Sequence, residues 1–226
     1  MRLTGPATWG DPADRPGAVE VLRTAVSWGV NYIDTADSYG PHSNESLIKD
    51  ALWPYPRELV IHQRGVVLTG SQLSDRRLDG RPTHLKQAAQ DSCRRPGLSH
   101  LDLYYLHWPA PDVPFTDQVG ALKDLRDAGV IRHIGLSNVS VEQFTAASEI
   151  APIAAVTQRF NLLEQSSDEL LALTRDTDVV FSPWFPTGQF AGIGSAASAN
   201  SAAATPNMAR LISPAIPRPP TQSHLL

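Results

Sequence analysis

Residues Leu101 to Asn138 read LDLYYLHWPAPDVPFTDQVGALKDLRDAGVIRHIGLSN. Leu101 to His107 (LDLYYLH) is an extended apolar run, and Thr116 to Ala128 is an amphipathic stretch of helical length. Gly129 follows where a helix C-terminus accepts positive φ, and His133 to Asn138 (HIGLSN) is a second extended run. A strand, a helix and a second strand in this order are the repeating unit of a parallel sheet.

Outward from this unit the same alternation runs from Asp14 to about Trp184. Four more strands are expected at Asn31 to Ala36 (NYIDTA), Leu59 to Arg64 (LVIHQR), Ala154 to Phe160 (AAVTQRF) and Val179 to Trp184 (VVFSPW). Helices are expected at Arg15 to Trp28, stopped by Gly29, at Asn44 to Trp53 and at Thr83 to Arg95. Ser140 with Gln143, and Ser166 with Glu169, each match a capping box and predict helices opening at about Val141 and Ser167. Six strands joined by helices suit an open doubly wound sheet or a (β/α)8 barrel, and periodicity does not choose between them. A phosphate-binding G-x-G-x-x-G is absent, and GIGSAAS at Gly192 to Ser198 reads as a loop. After Pro186 the composition turns to Ala, Ser, Gly and Asn, and from Ser213 it is rich in proline. Residues 1–226 are therefore expected to form one domain whose C-terminal part, 187–226, is degenerate and poorly ordered.

Composition narrows the partners. A chain of 226 residues, 42% hydrophobic and with a formal net charge of -4, has core enough for one globular domain and no basic excess for nucleic acid. A small molecule is the expected partner. The single cysteine, Cys93, has no internal disulfide partner and reads as a packing residue within a helix. The first residues lack the apolar region of a secretory signal, and no run reaches the ~18 apolar residues of a membrane span. A cytoplasmic protein is expected.

Four chemically capable residues fall at or just beyond the C-terminal ends of successive strands, where parallel α/β folds place their sites: Asp34, Tyr39, Arg64 and His107. Singly, each also fits a plainer role, as a strand cap, a loop anchor, a surface charge and a core histidine. His62 shares a face with Arg64 one layer deeper and is expected to fill space.

Three strings, NYIDTADSYG at Asn31 to Gly40, LDLYYLHWP at Leu101 to Pro109 and GVIRHIGLSN at Gly129 to Asn138, resemble the signatures of the aldo-keto reductases, in order and at suitable spacing. SNESLIKDAL, RFNLLEQ and FSPWFP add to the likeness. The resemblance implies a (β/α)8 TIM-type barrel that moves hydride from NADPH to an aldehyde or ketone. It also implies an incomplete barrel, because MRLTG, which in the family ends the first strand, opens this sequence. The last strand looks irregular and nothing remains for the final helix. By resemblance Asp34, Tyr39 and His107 take three places of a catalytic Asp-Tyr-Lys-His tetrad, and Arg64 stands where the lysine would be. Ser137 and Asn138 would bind the nicotinamide carboxamide, and Trp184 would stack on its ring. Thr157 occupies the place of a third carboxamide ligand, a glutamine. The neighbouring Gln158 cannot stand in, since a one-residue step in a strand turns a side chain to the other face. Arg218, in the string IPR, resembles the contact to the adenosine 2′-phosphate. Arginine for lysine, threonine for glutamine and the shortened ends imply impaired carbonyl reduction. The alternative is a non-catalytic nucleotide-binding relic or the product of a decayed gene.

Overall fold

The computed structural model describes residues 3–68, 72–161, 163–175 and 177–186. Six strands, β1 (Tyr32–Asp34), β2 (Val60–Gly65), β5 (Leu101–Leu106), β6 (Ile131–Ser137), β7 (Ile153–Arg159) and β8 (Val180–Trp184), make one parallel sheet in that spatial order. Two short strands, β3 (Val67–Leu68) and β4 (Arg77–Leu78), pair antiparallel as a hairpin rising from the end of β2. Helices α1 (Arg15–Ser27), α2 (Ser43–Leu52), α3 (Pro82–Arg94), α4 (Phe115–Asp127), α5 (Val141–Ile150) and α6 (Asp168–Arg175) fill the connections. The result is a parallel half-barrel of the (β/α)8 kind, in which β1 and β8 are the outermost strands among the described residues.

All six expected strands and six expected helices are present, each within a few residues of its expected bounds. Strand β1 is shorter than NYIDTA suggests because the chain leaves the ladder to carry the next loop. Thr35 N–H and Asp37 N–H still reach the carbonyls of His62 and Arg64, at 3.2 and 3.3 Å. The Ser140/Gln143 box closes in both directions. The Ser166/Glu169 box does not form. Ser166 N–H instead turns back to the Glu164 carboxylate, and the first turn of α6 bonds the Ser167 carbonyl to Leu171 N–H, one residue later than expected. The β3–β4 hairpin was not foreseen, since two-residue strands carry no readable alternation.

Alternation within the strands sorts side chains between two sides of the sheet. Tyr104, Leu106, Leu136 and Val156 point toward the helices and join Leu85, Leu122 and Phe144 in the larger core. Ile33 and Ile61 meet Leu22, Leu47 and Ile48 of α1 and α2 in a second cluster. Each such aliphatic side chain, wholly buried, contributes roughly 1.5–3 kcal/mol. On the concave side Leu103, Tyr105 and Ala155 pack with Tyr32 and Val180. Gly135, paired with Tyr105 across β5 and β6, gives the phenol ring room there, because a Cβ would stand 2.4 Å from it. The concave side is thus filled low down, and its open end lies at the C-terminal ends of the strands. Among the described residues no helix is long and apolar enough to cross a membrane.

Candidate active site

Asp34 ends β1, Arg64 is the fifth residue of β2, and His107 follows β5 directly, its N–H bonded to the Gly65 carbonyl at 2.9 Å. Tyr39 sits in the loop between β1 and α2. That loop is pinned by the Asn44 amide on the Thr35 hydroxyl at 2.7 Å and by Asn44 N–H on the Tyr39 carbonyl at 3.2 Å. The structure therefore brings these four residues to one end of the half-barrel.

Arg64 is nearly buried and donates from Nη2 to Asp34 Oδ2. Its Nε is buried without a partner among the described residues, so the side-on fork of Nε and Nη2 is not closed on the carboxylate. On the other side of the same carboxylate, His62 Nε2 lies 3.2 Å from Asp34 Oδ1. Burial works against the Asp34 anion, but the Arg64 guanidinium, with His62 behind it, holds the carboxyl well below the usual carboxylate range. The rings of Tyr39 and His107 meet edge to face, with centroids 6.1 Å apart. Burial, reinforced by the Arg64 charge, holds His107 down to about 3, so its imidazole is neutral at ordinary pH. Burial pushes the Tyr39 phenol up, and Arg64 offsets only part of that, because Asp34 takes up much of its charge. In this geometry Tyr39 keeps its proton.

Tyr39 and His107 line a cleft of about 430 Å³ with Thr8, Val67, Leu78 and Trp108. The hairpin supplies the apolar wall. Arg76, also on this wall, donates to the carbonyls of Ala7, Thr8 and Ser38 at 3.1, 2.9 and 2.7 Å and lies 5.4 Å from the Trp9 ring centroid. It ties the N-terminal segment to the residue beside Tyr39. Sequence reading missed Arg76, because SDRRLDGR reads as an ordinary charged loop until the hairpin folds it over the cleft.

Further round the same rim, Ser137 ends β6 and is wholly buried. Asn138 takes φ +59, a left-handed conformation that asparagine tolerates better than most residues. Its amide donates to the His107 carbonyl at 3.0 Å and the Ser137 hydroxyl at 2.8 Å, which fixes the side chain between two strands. Thr157 is paired with Ser137 and is buried on the neighbouring strand. Gln158 points to the helix side, donating to the Val139 carbonyl. Trp184 closes β8, with the Arg159 guanidinium 5.9 Å from its ring and a buried indole N–H that has no partner among the described residues. Arg218 and the stretch 187–226 lie outside the described residues.

Residues 2–211 match the profile of the Aldo/keto reductase family. An uncharacterised oxidoreductase of Schizosaccharomyces pombe is 35% identical over 186 residues, 82% of this chain and 60% of that protein. Pyridoxine 4-dehydrogenase of Escherichia coli is 34% identical over 210 residues, 90% of this chain and 73% of that one. Among solved structures, glycerol dehydrogenase of Gluconobacter oxydans superposes with a TM-score of 0.72 at 29% identity, covering 78% of this chain and 55% of its own. The chain thus spans about half to three quarters of the length of the relatives it matches.

Proposed function

This chain belongs to the aldo/keto reductase family, and from that premise we propose that it reduces an aldehyde or ketone to an alcohol with NADPH as hydride source. The observation that carries the proposal is the Asp34–Arg64 pair at the same end of the half-barrel as Tyr39 and His107. The site fits a nicotinamide in part. Asn138 spends its amide hydrogens on protein acceptors and leaves Oδ1 to accept, the Ser137 hydroxyl sits beside it, and Trp184 offers an aromatic ring with an orphaned indole N–H. These three would hold the carboxamide and ring, and Thr157 would contribute no amide there. When bound, NADPH supplies the hydride.

The rest of the chemistry falls to the chain. A carbonyl oxygen entering the cleft would meet two protonated donors, the neutral His107 imidazole and the Tyr39 phenol. His107 orients and polarises the oxygen, and Tyr39 delivers the proton that the developing alkoxide requires. Arg64 makes release of that proton cheaper by stabilising the tyrosinate left behind, while Asp34 fixes the arginine. The hairpin residues Val67 and Leu78, with Trp108, present an apolar wall suited to a hydrophobic substituent on the carbonyl.

The test is NADPH oxidation with a reactive aromatic aldehyde, comparing wild type with Tyr39→Phe, each shown to be folded by circular dichroism. Loss of the general acid is expected to lower turnover by about 10²- to 10⁴-fold. Equal rates would overturn the assignment of Tyr39. No turnover, with NADPH still quenching tryptophan fluorescence, would favour a nucleotide-binding protein without catalysis.

A further inference from the structure

We infer that Arg76 makes the cleft selective for carbonyl compounds that also carry a carboxylate on an apolar frame, with its guanidinium as the anion's partner. This deepens the reductase reading and rests on it. The reduction itself is unchanged: hydride goes to the carbonyl carbon and the Tyr39 proton to its oxygen, and the carboxylate takes no part.

Charge around the cleft does not cancel. Arg64 is paired with Asp34, His107 is neutral and Tyr39 keeps its proton. Asp37, which also acts on the phenol, is buried, and burial beside Glu45 pushes its carboxyl well above the ordinary range, toward the neutral form. Arg76 remains. Among the described residues it has no carboxylate partner: it donates to the carbonyls of Ala7, Thr8 and Ser38 and lies over the Trp9 ring, 5.4 Å from its centroid. Carbonyl dipoles and an aromatic face hold a guanidinium in place without neutralising it. The charge reaches both reacting groups, favouring ionisation of Tyr39 and opposing protonation of His107. None of the residues that line the cleft with Arg76 is acidic.

The hydrogens point the same way. Of the five N–H hydrogens of a guanidinium, Nη2 spends two on Thr8 and Ser38 and Nη1 spends one on Ala7. One is left on Nη1, and the one on Nε is buried with no partner among the described residues. A carboxylate there gains a charge-assisted bond, whereas a neutral acceptor gains only the weaker kind. The bond to Ser38, the residue before Tyr39, keeps cation and phenol at a fixed offset. Their shared cleft holds about 430 Å³, and Val67, Leu78 and Trp108 give it apolar walls. A substrate with its carbonyl at Tyr39 and His107 and its carboxylate turned to Arg76 therefore needs an apolar spacer, such as an aromatic ring.

The test compares para-carboxybenzaldehyde with its methyl ester, each reduced with NADPH by the full chain. The ratio of their kcat/KM values is expected to favour the carboxylate about tenfold more in wild type than in Arg76→Gln, the worth of a partly screened charge-assisted bond. Comparing ratios between proteins removes the intrinsic reactivity of the two aldehydes. Arg76→Lys, which keeps the charge but not the fork, is expected to recover part of the preference, and added salt to erode it in wild type. The same ratio in wild type and Arg76→Gln, or no recovery in Arg76→Lys, would leave Arg76 as a tie for the N-terminal segment and overturn the inference. Should Arg76→Gln fail to fold, wild type decides alone: a preference unmoved between about 0.02 and 0.5 M salt would overturn it. If wild type reduces neither aldehyde, the reductase reading falls and binding decides the site. Benzoate is then expected to quench tryptophan fluorescence at lower concentration than benzamide, by a margin that Arg76→Gln or added salt removes. Equal binding of the two, or none, would sink the anion site as well.

Discussion

Arg64 carries its charge on a planar fork, and where that fork points decides what Tyr39 feels. A lysine at the same place would be a compact ammonium able to approach both the carboxylate and the phenol. Arg64→Lys is therefore expected to raise the rate of aldehyde reduction, and Arg64→Met to bring it to background, since Asp34 would then face the phenol uncompensated and raise its pKa further. Steady-state NADPH oxidation by folded variants checks both. If Arg64→Lys matches or falls below wild type, the arginine is not the limiting departure. A second consequence at this scale is a pH dependence of stability. Burial, opposed by Asp34, holds His62 down to about 3, against 6.5 when unfolded. The unfolded chain then binds a proton that the folded chain refuses, so the contribution of His62 is complete above pH 6.5 and is lost as pH falls toward 3. Each pH unit in that window removes up to about 1.4 kcal/mol. Thermal unfolding from pH 7 to 4 should show wild type losing stability faster than His62→Gln. Parallel curves would mean that His62 ionises freely when folded.

At the scale of elements, the two serine boxes show what local sequence decides and what it leaves open. Both carry the same pattern, yet only Ser140 caps, because α5 enters straight from the end of β6. Ser166 lies in a turn that the Asn161–Glu164 bridge has already committed. Ser140→Ala is expected to cost about 1 kcal/mol and Ser166→Ala close to nothing, by chemical denaturation. Gly135→Ala should cost roughly 1–3 kcal/mol, since its Cβ would drive into the Tyr105 ring. The larger elements were legible because alternation and helical spacing persist over five to thirteen residues in each. The face of Gln158 was legible for the same reason, since strand parity is a local rule. What escaped depends on chain segments far apart in sequence. The β3–β4 hairpin aligns only two residues on each strand, and Arg76 finds acceptors 38 and 68 positions away. The contact of His62 with Asp34 needs β1 and β2 in register, and the raised Tyr39 reflects burial that no sequence spacing records.

Across the whole molecule, the parallel sheet separates a helix side, where cohesion is built, from a concave side whose rim gathers Asp34, Tyr39, Arg64 and His107. That division sets what cofactor affinity the described residues can give. In the proposed reading Ser137, Asn138 and Trp184 on the rim would hold a nicotinamide, and Thr157, paired with Ser137 and buried, has a short hydroxyl in place of an amide. Its neighbour Gln158 spends its amide on the Val139 carbonyl, on the far side of the strand, and cannot be recruited without inverting β7. Thr157→Gln is therefore expected to tighten NADPH binding by the worth of one neutral hydrogen bond, about 0.5 to 1.5 kcal/mol, or roughly two- to twelvefold in Kd. Gln158→Ala should leave Kd unchanged while lowering stability, because it removes a buried donor from the Val139 carbonyl. Titration of tryptophan fluorescence with NADPH measures the first effect, and thermal unfolding with and without the cofactor measures both, since a ligand that binds only the folded state raises its melting temperature by mass action. Tightening by Gln158→Asn or weakening by Gln158→Ala, with Thr157→Gln silent, would place the nicotinamide on the other face of β7 and undo the assignment of the concave rim.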